Sequence, residues 1–91
     1  MAAITSSQVT PLYLEKGGQV ASLLRISNVS SGDTIDVSLV GGITYKKVLA
    51  AAFTASAQQA AALPVATGTV LTLTLMSMAN DNVDLLVLGV T

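Results

Sequence analysis

Residues 16–40 (KGGQVASLLRISNVSSGDTIDVSLV) hold two apolar runs of alternating pattern separated by the polar segment NVSSGD, and this stretch constrains the fold most strongly. A period of two belongs to a strand, because successive side chains point to opposite faces of a sheet. The joining segment is turn chemistry, so the stretch reads as a hairpin or as a short crossing between two sheets. Within residues 19–28, Val20, Ser22, Leu24 and Ile26 share one face, and Ala21, Leu23, Arg25 and Ser27 share the other. Residues 34–40 alternate cleanly, Ile35, Val37 and Leu39 against Thr34, Asp36 and Ser38, which sends one face to the core and the other to water or a partner.

The remaining segments extend this pattern. Residues 1–8 are small and polar without periodicity and read as a flexible or partner-ordered N-terminal arm ahead of a β-sandwich domain over 9–91. Residues 9–15 (VTPLYLE) carry β-formers around Pro11, which lacks an N–H and suits an edge strand; Lys16-Gly17-Gly18 then turns the chain. Residues 43–63 are ambiguous. The reading adopted is a strand over 43–51, an irregular or short helical segment, and a short strand ending before Pro64, with a single helix over 47–62 as the alternative. After a loop at 64–68, residues 69–78 (TVLTLTLMSM) form a strand with Leu71, Leu73 and Leu75 on the core face. Residues 79–82 form a hairpin turn, and 83–90 form a strand apolar on both faces, with Leu86 and Leu88 opposite Leu85 and Val87. Such a strand is buried inside the domain or between subunits. The fold class is all-β, a single small antiparallel sandwich of jelly-roll or Ig-like kind with about six to eight strands.

Composition narrows the function. The 91 residues make one domain, 52% hydrophobic and only 10% charged, whereas soluble domains carry about 25% charged residues. Apolar surface is therefore expected to be covered by other chains. Mean hydropathy is +0.71, yet the longest apolar run, residues 48–53, falls far short of the ~20 residues that span a bilayer, so no membrane partner is expected. Four basic residues and no histidine give no footprint for nucleic acid. The start, MAAITSSQ, has neither a basic n-region nor an apolar h-region, so a secretory leader is not expected. Without cysteine there are no disulfides or thiolate metal sites, which leaves association as the route to extra stability.

No chemistry-bearing constellation emerges. There is no His or Cys to activate a nucleophile, and Lys16, Lys46 and Lys47 stand in no Ser-x-x-Lys pattern, so no enzyme is expected. Asp33/Asp36 and Asp81/Asp84 lack the six to eight oxygen ligands and loop spacing that calcium needs, and the glycine pairs 17–18 and 41–42 match no phosphate loop. No cofactor or metal is expected. The candidate interface residues are Tyr13, Glu15, Arg25, Lys46, Lys47, Met76, Met78, Leu86 and Leu88. For Arg25, Lys46 and Lys47 the choice lies between solvated strand faces and pairing across subunits with Glu15, Asp33 or Asp36. Met76 and Met78 suit core or interface filling. A glycan platform would have to use Tyr13, Tyr45 and Phe53, the three aromatic residues of the chain.

The order of these features resembles the small β-sandwich virion proteins of tailed bacteriophages. The likeness lies in LYLEKGG followed by LLRISNVSSGDTIDVSL, and in ATGTVLTLTL followed by NDNVDLLVLGV, together about residues 12–40 and 64–91; the alanine-rich middle departs from it. The resemblance implies a capsid decoration (cement) protein that binds the major capsid protein and stabilises the shell. A neck or fibre component, or a host- or carbohydrate-binding module, is the alternative. It further implies a homo-oligomer, often a trimer, placed on the capsid surface of a virion assembled in the host cytoplasm, with no catalytic residues.

Overall fold

The structure, a computed structural model, describes residues 2–15, 19–58, 62–77 and 79–91. The described residues form an all-β sandwich of two antiparallel sheets. The larger sheet has the order β1 (Val9–Glu15), β2 (Gln19–Val29), β7 (Asp81–Val90), β4 (Lys47–Ala55). The smaller has the order β3 (Thr34–Asp36), β6 (Val70–Thr72), β5 (Val65–Thr67). Both alternating runs of residues 16–40 are thus split between layers, and the NVSSGD segment is the crossing. The inner face of the large sheet carries Val20, Leu24 and Ile26 of β2, Val83, Leu85 and Val87 of β7, and Phe53 of β4, all buried against Ile35, Leu71, Leu73 and Leu75 from the other layer. The turn expected at Lys16-Gly17-Gly18 lies outside the described residues.

Several expectations are corrected. The strand expected over 34–40 ends at Asp36, and a one-turn helix, α1 (Val37–Val40), follows. Asp36 caps it by accepting the Ser38 N–H at 3.1 Å, and the Ser38 hydroxyl bonds both the N–H and the carbonyl of Tyr45, local bonds that outcompete a ladder. Leu39 is consequently 80% exposed rather than core. The strand expected over 43–51 is β4, at Lys47–Ala55, which also takes the place of the helix considered for 47–62. The strand expected before Pro64 falls in part on residues 59–61, outside the described residues, and a three-residue strand, β5, follows Pro64. The strand expected over 69–78 is regular only through Thr72, although Leu71, Leu73 and Leu75 do face the core. Residues 79–82 do not close a hairpin, because β6 and β7 belong to different sheets. In the N-terminal segment Ile4 is buried and Ala3 bridges Thr34, while Ser6–Gln8 form a 3-10 turn with no buried residue.

One end of the sandwich is closed by Tyr45, which crosses back from α1 toward β4. Its ring lies over Gly89, an inward-facing position of β7, where an added Cβ would stand 2.5 Å from the Lys47 carbonyl oxygen and 2.6 Å from the ring. Its hydroxyl hydrogen-bonds the buried Ser22 hydroxyl on β2. Among the described residues neither oxygen has another hydrogen-bond partner, so deleting one strands the other in an apolar interior. Tyr45→Phe is expected to destabilise the fold by about 1–3 kcal/mol in denaturant titration, while Ser22→Ala/Tyr45→Phe recovers most of that loss. Gly89→Ala is expected to cost about 1–3 kcal/mol by overpacking, since a backbone carbonyl is among the atoms that must yield.

Candidate interaction surface

The inner face of the large sheet is covered by the small one, and its outer face is open. Strand register lays out that outer face in rows across β1, β2, β7 and β4. The first row is Thr10, Arg25, Asp84, Thr54; the second is Tyr13, Leu23, Leu86, Ala52; the third is Glu15, Ala21, Leu88, Ala50. Two apolar rows therefore follow one polar row. Leu86 and Leu88 are 42% and 43% exposed, and Tyr13 is 56% exposed. The alanines of β4 stand lower than these neighbours and leave shallow hollows, one beside Leu86 and Leu88 and others beside Glu15 and Asp84.

Charges frame this apolar centre. Arg25 grips Asp84 through two hydrogen bonds, Nε to Oδ1 at 3.0 Å and an Nη to Oδ2 at 3.3 Å. The guanidinium bonds hold the Asp84 carboxyl below the usual aspartate value. At the far edge, the Tyr13 hydroxyl donates to Glu15 at 3.1 Å, and that carboxylate raises the phenol above its ordinary value. Lys46 and Lys47 are exposed where β4 begins, with no ion pair among the described residues. Within the chain, the partner of Arg25 is Asp84.

The other sequence candidates divide. Tyr13, Glu15, Arg25, Lys47, Leu86 and Leu88 come together on the outer face, and Lys46 borders it. Met76 is exposed but belongs to the segment that leaves β6 in the other layer, so it does not join them. Met78 lies outside the described residues. Tyr45 and Phe53 are buried, which removes two of the three rings a glycan platform would use. The sequence reading missed Ala50, Ala52 and Leu49 of β4, and a strand alternation from residue 50 onward was the signal available for the alanines.

The aspartates are structural. Asp33, buried at the β2–β3 crossing, accepts the N–H groups of Ala2 and Ser30 at 3.0 and 2.9 Å. Asp81, buried where β7 begins, accepts those of Ala57 and Gln58 at 2.9 and 3.1 Å. Asp36 serves α1 and Thr69. No group of three or more His, Cys, Asp or Glu able to hold a metal occurs among the described residues. No protein-family model, curated protein or solved structure matches this chain.

Because Asp84 is held below the ordinary range only in the folded state, its bond to Arg25 stabilises the fold above that range. The contribution fades as pH falls through the depressed value. Arg25→Gln is expected to move the Asp84 titration, followed by carboxyl NMR, up toward the ordinary aspartate range. The same change should flatten this part of the acid dependence, with little effect on stability at neutral pH because both side chains are exposed.

Proposed function

We propose that this protein is a non-catalytic structural subunit of a virion, a capsid decoration protein that lays the outer face of its large sheet on the major capsid protein. The observation that carries the reading is that face: two apolar rows, centred on Leu86 and Leu88, on a small domain with few charges elsewhere. A sheet face of this kind suits a broad, flat contact. A specific interface buries about 800 Å² per partner, roughly one sixth of this domain's 4993 Å² surface, so one sheet face is an adequate contact area. Tyr13 and the two leucines supply the apolar centre, and Arg25, Asp84 and Glu15 supply a polar rim, the arrangement that characterises protein interfaces.

The test uses capsid shells prepared without this protein and the full chain added back. Wild-type chain is expected to co-sediment with shells to a saturating stoichiometry. Leu86→Asp/Leu88→Asp puts two carboxylates into the contact and is expected to lower affinity about 100-fold while leaving the melting transition in place, because both side chains point away from the core. Equal binding by this variant would eliminate the outer-face mode. Labelled protein found at the neck or on a fibre, rather than across the shell, would replace the decoration reading with the alternative.

A further inference from the structure

The two edges of the large sheet differ in a way the outer face does not explain. Edge strand β1 is guarded. Pro11 offers no N–H, the register breaks between Pro11 and Tyr13, and the Gln8 side chain ties the start of the strand to the Ser27 carbonyl. These are devices by which sheets avoid joining one another. Edge strand β4 has no charge, proline or glycine over its last eight residues, VLAAAFTA. It shares with β1 a register break, between Val48 and Ala50, but runs regularly from Ala50 to Ala55. Among the described residues nothing pairs with its free side, and Leu49 there is 54% exposed. In the small sheet, β3 is bridged by Ala3, and β5 is only three residues long.

The phase of the free edge follows from one bond. The Ser56 N–H donates to the Asn82 carbonyl at 2.9 Å, and these residues continue the pairing of Ala55 with Val83. Opposite residues in an antiparallel ladder alternate between bonded and non-bonded pairs. Ala50, Ala52 and Thr54 therefore bond β7, and Ala51 and Phe53 direct their N–H and C=O groups away from it.

We propose that β4 pairs antiparallel with β4 of a second copy of this chain, about a two-fold axis at Ala51, joining two four-stranded sheets into one of eight. Three observations select a second copy as the occupant. An isologous contact requires a self-complementary strand, and the run of three alanines admits close approach from an identical run. Antiparallel pairing carries the Lys46-Lys47 end of each strand to the far end of the other, where Asp84 flanks Thr54 on the adjoining strand; parallel pairing would set lysine against lysine. The alanine rows then meet, so the apolar rows through Leu86 and Leu88 run unbroken across the junction. This contact is a dimer, distinct from the trimer that the phage resemblance implies, and it does not rest on the capsid reading.

Sedimentation of the full chain is expected to show mass rising with concentration from 9.2 kDa to twice that value. Ala51→Pro removes an N–H that β7 does not use, so it is expected to preserve the β spectrum and weaken the dimer about tenfold or more. Should that variant fail to fold, Leu49→Lys, at an exposed position, serves the same purpose by adding an edge charge. Lys47→Glu is expected to weaken pairing more at low salt than at high salt. In amide exchange, the Ala51 and Phe53 N–H groups are expected to gain protection as concentration rises. A chain that stays monomeric at all concentrations overturns the proposal. So does a dimer in which those two amides stay unprotected, or one that Leu86→Asp abolishes and folded Ala51→Pro or Leu49→Lys spares, since that pattern belongs to face-to-face stacking.

Discussion

Backbone N–H groups held by buried carboxylates make the two-layer arrangement possible. Each time the chain leaves one sheet for the other, peptide groups drop out of the ladder and need partners away from water. Asp33 supplies them at the β2–β3 crossing, and it also ties in Ala2. Asp81 does so at the entry to β7 and simultaneously holds Ala57 and Gln58, where the chain departs from β4. Hydrogen bonds to charged groups are worth about 1.5–3 kcal/mol each, and losing an acceptor leaves buried donors unpaired. Two of the five acidic residues in the sequence are spent on these corners. The β2–β3 crossing also needs Asn28 in the left-handed region at φ 58°, a conformation asparagine tolerates well.

With the corners fixed, the layers divide the work. The inner face of the large sheet closes the core, and its missing side chain at Gly89 is filled by Tyr45 from outside the sheet. The outer face is left open. Its polar row is tied together by the Arg25–Asp84 pair on adjacent strands. Beyond that row the face offers apolar surface, and among the described residues the free side of β4 offers a row of backbone groups. On the two proposals above, the face takes a flat apolar surface and the edge takes a strand.

Much of the strand content was legible because alternation is a local property. The inward set Val20, Leu24 and Ile26 and the core leucines 71, 73 and 75 could be assigned from pattern alone, and Leu86 and Leu88 stood out because the strand was apolar on both sides. What could not be read depended on contacts distant in sequence or on local competition. Alternation assigned Leu39 inward, but Asp36 and Ser38 recruit the backbone into a helical turn instead. The partner of Arg25 lies 59 residues away and has no sequence signature. Alanine favours helix by intrinsic propensity, and only pairing with β7, distant in sequence, overrides it, so β4 and its hollows were hidden within an ambiguous segment. The turn at 79–82 had hairpin chemistry, yet a crossing between layers uses the same residues.

Strand order has a further consequence for how the molecule is made. The strand at the centre of the large sheet, β7, is synthesised after every strand it joins, and it pairs with β2 across more than fifty residues and with β4 across a shorter span. Until β7 has emerged, β2 and β4 have no shared neighbour, and each presents an unpaired apolar edge. Closing such distant pairings is slow, because the entropy of ordering the intervening chain is lost before the contacts form. The nascent chain therefore passes through an interval in which its stickiest strands are complete but unsheltered, and the last ten residues of sheet end that interval.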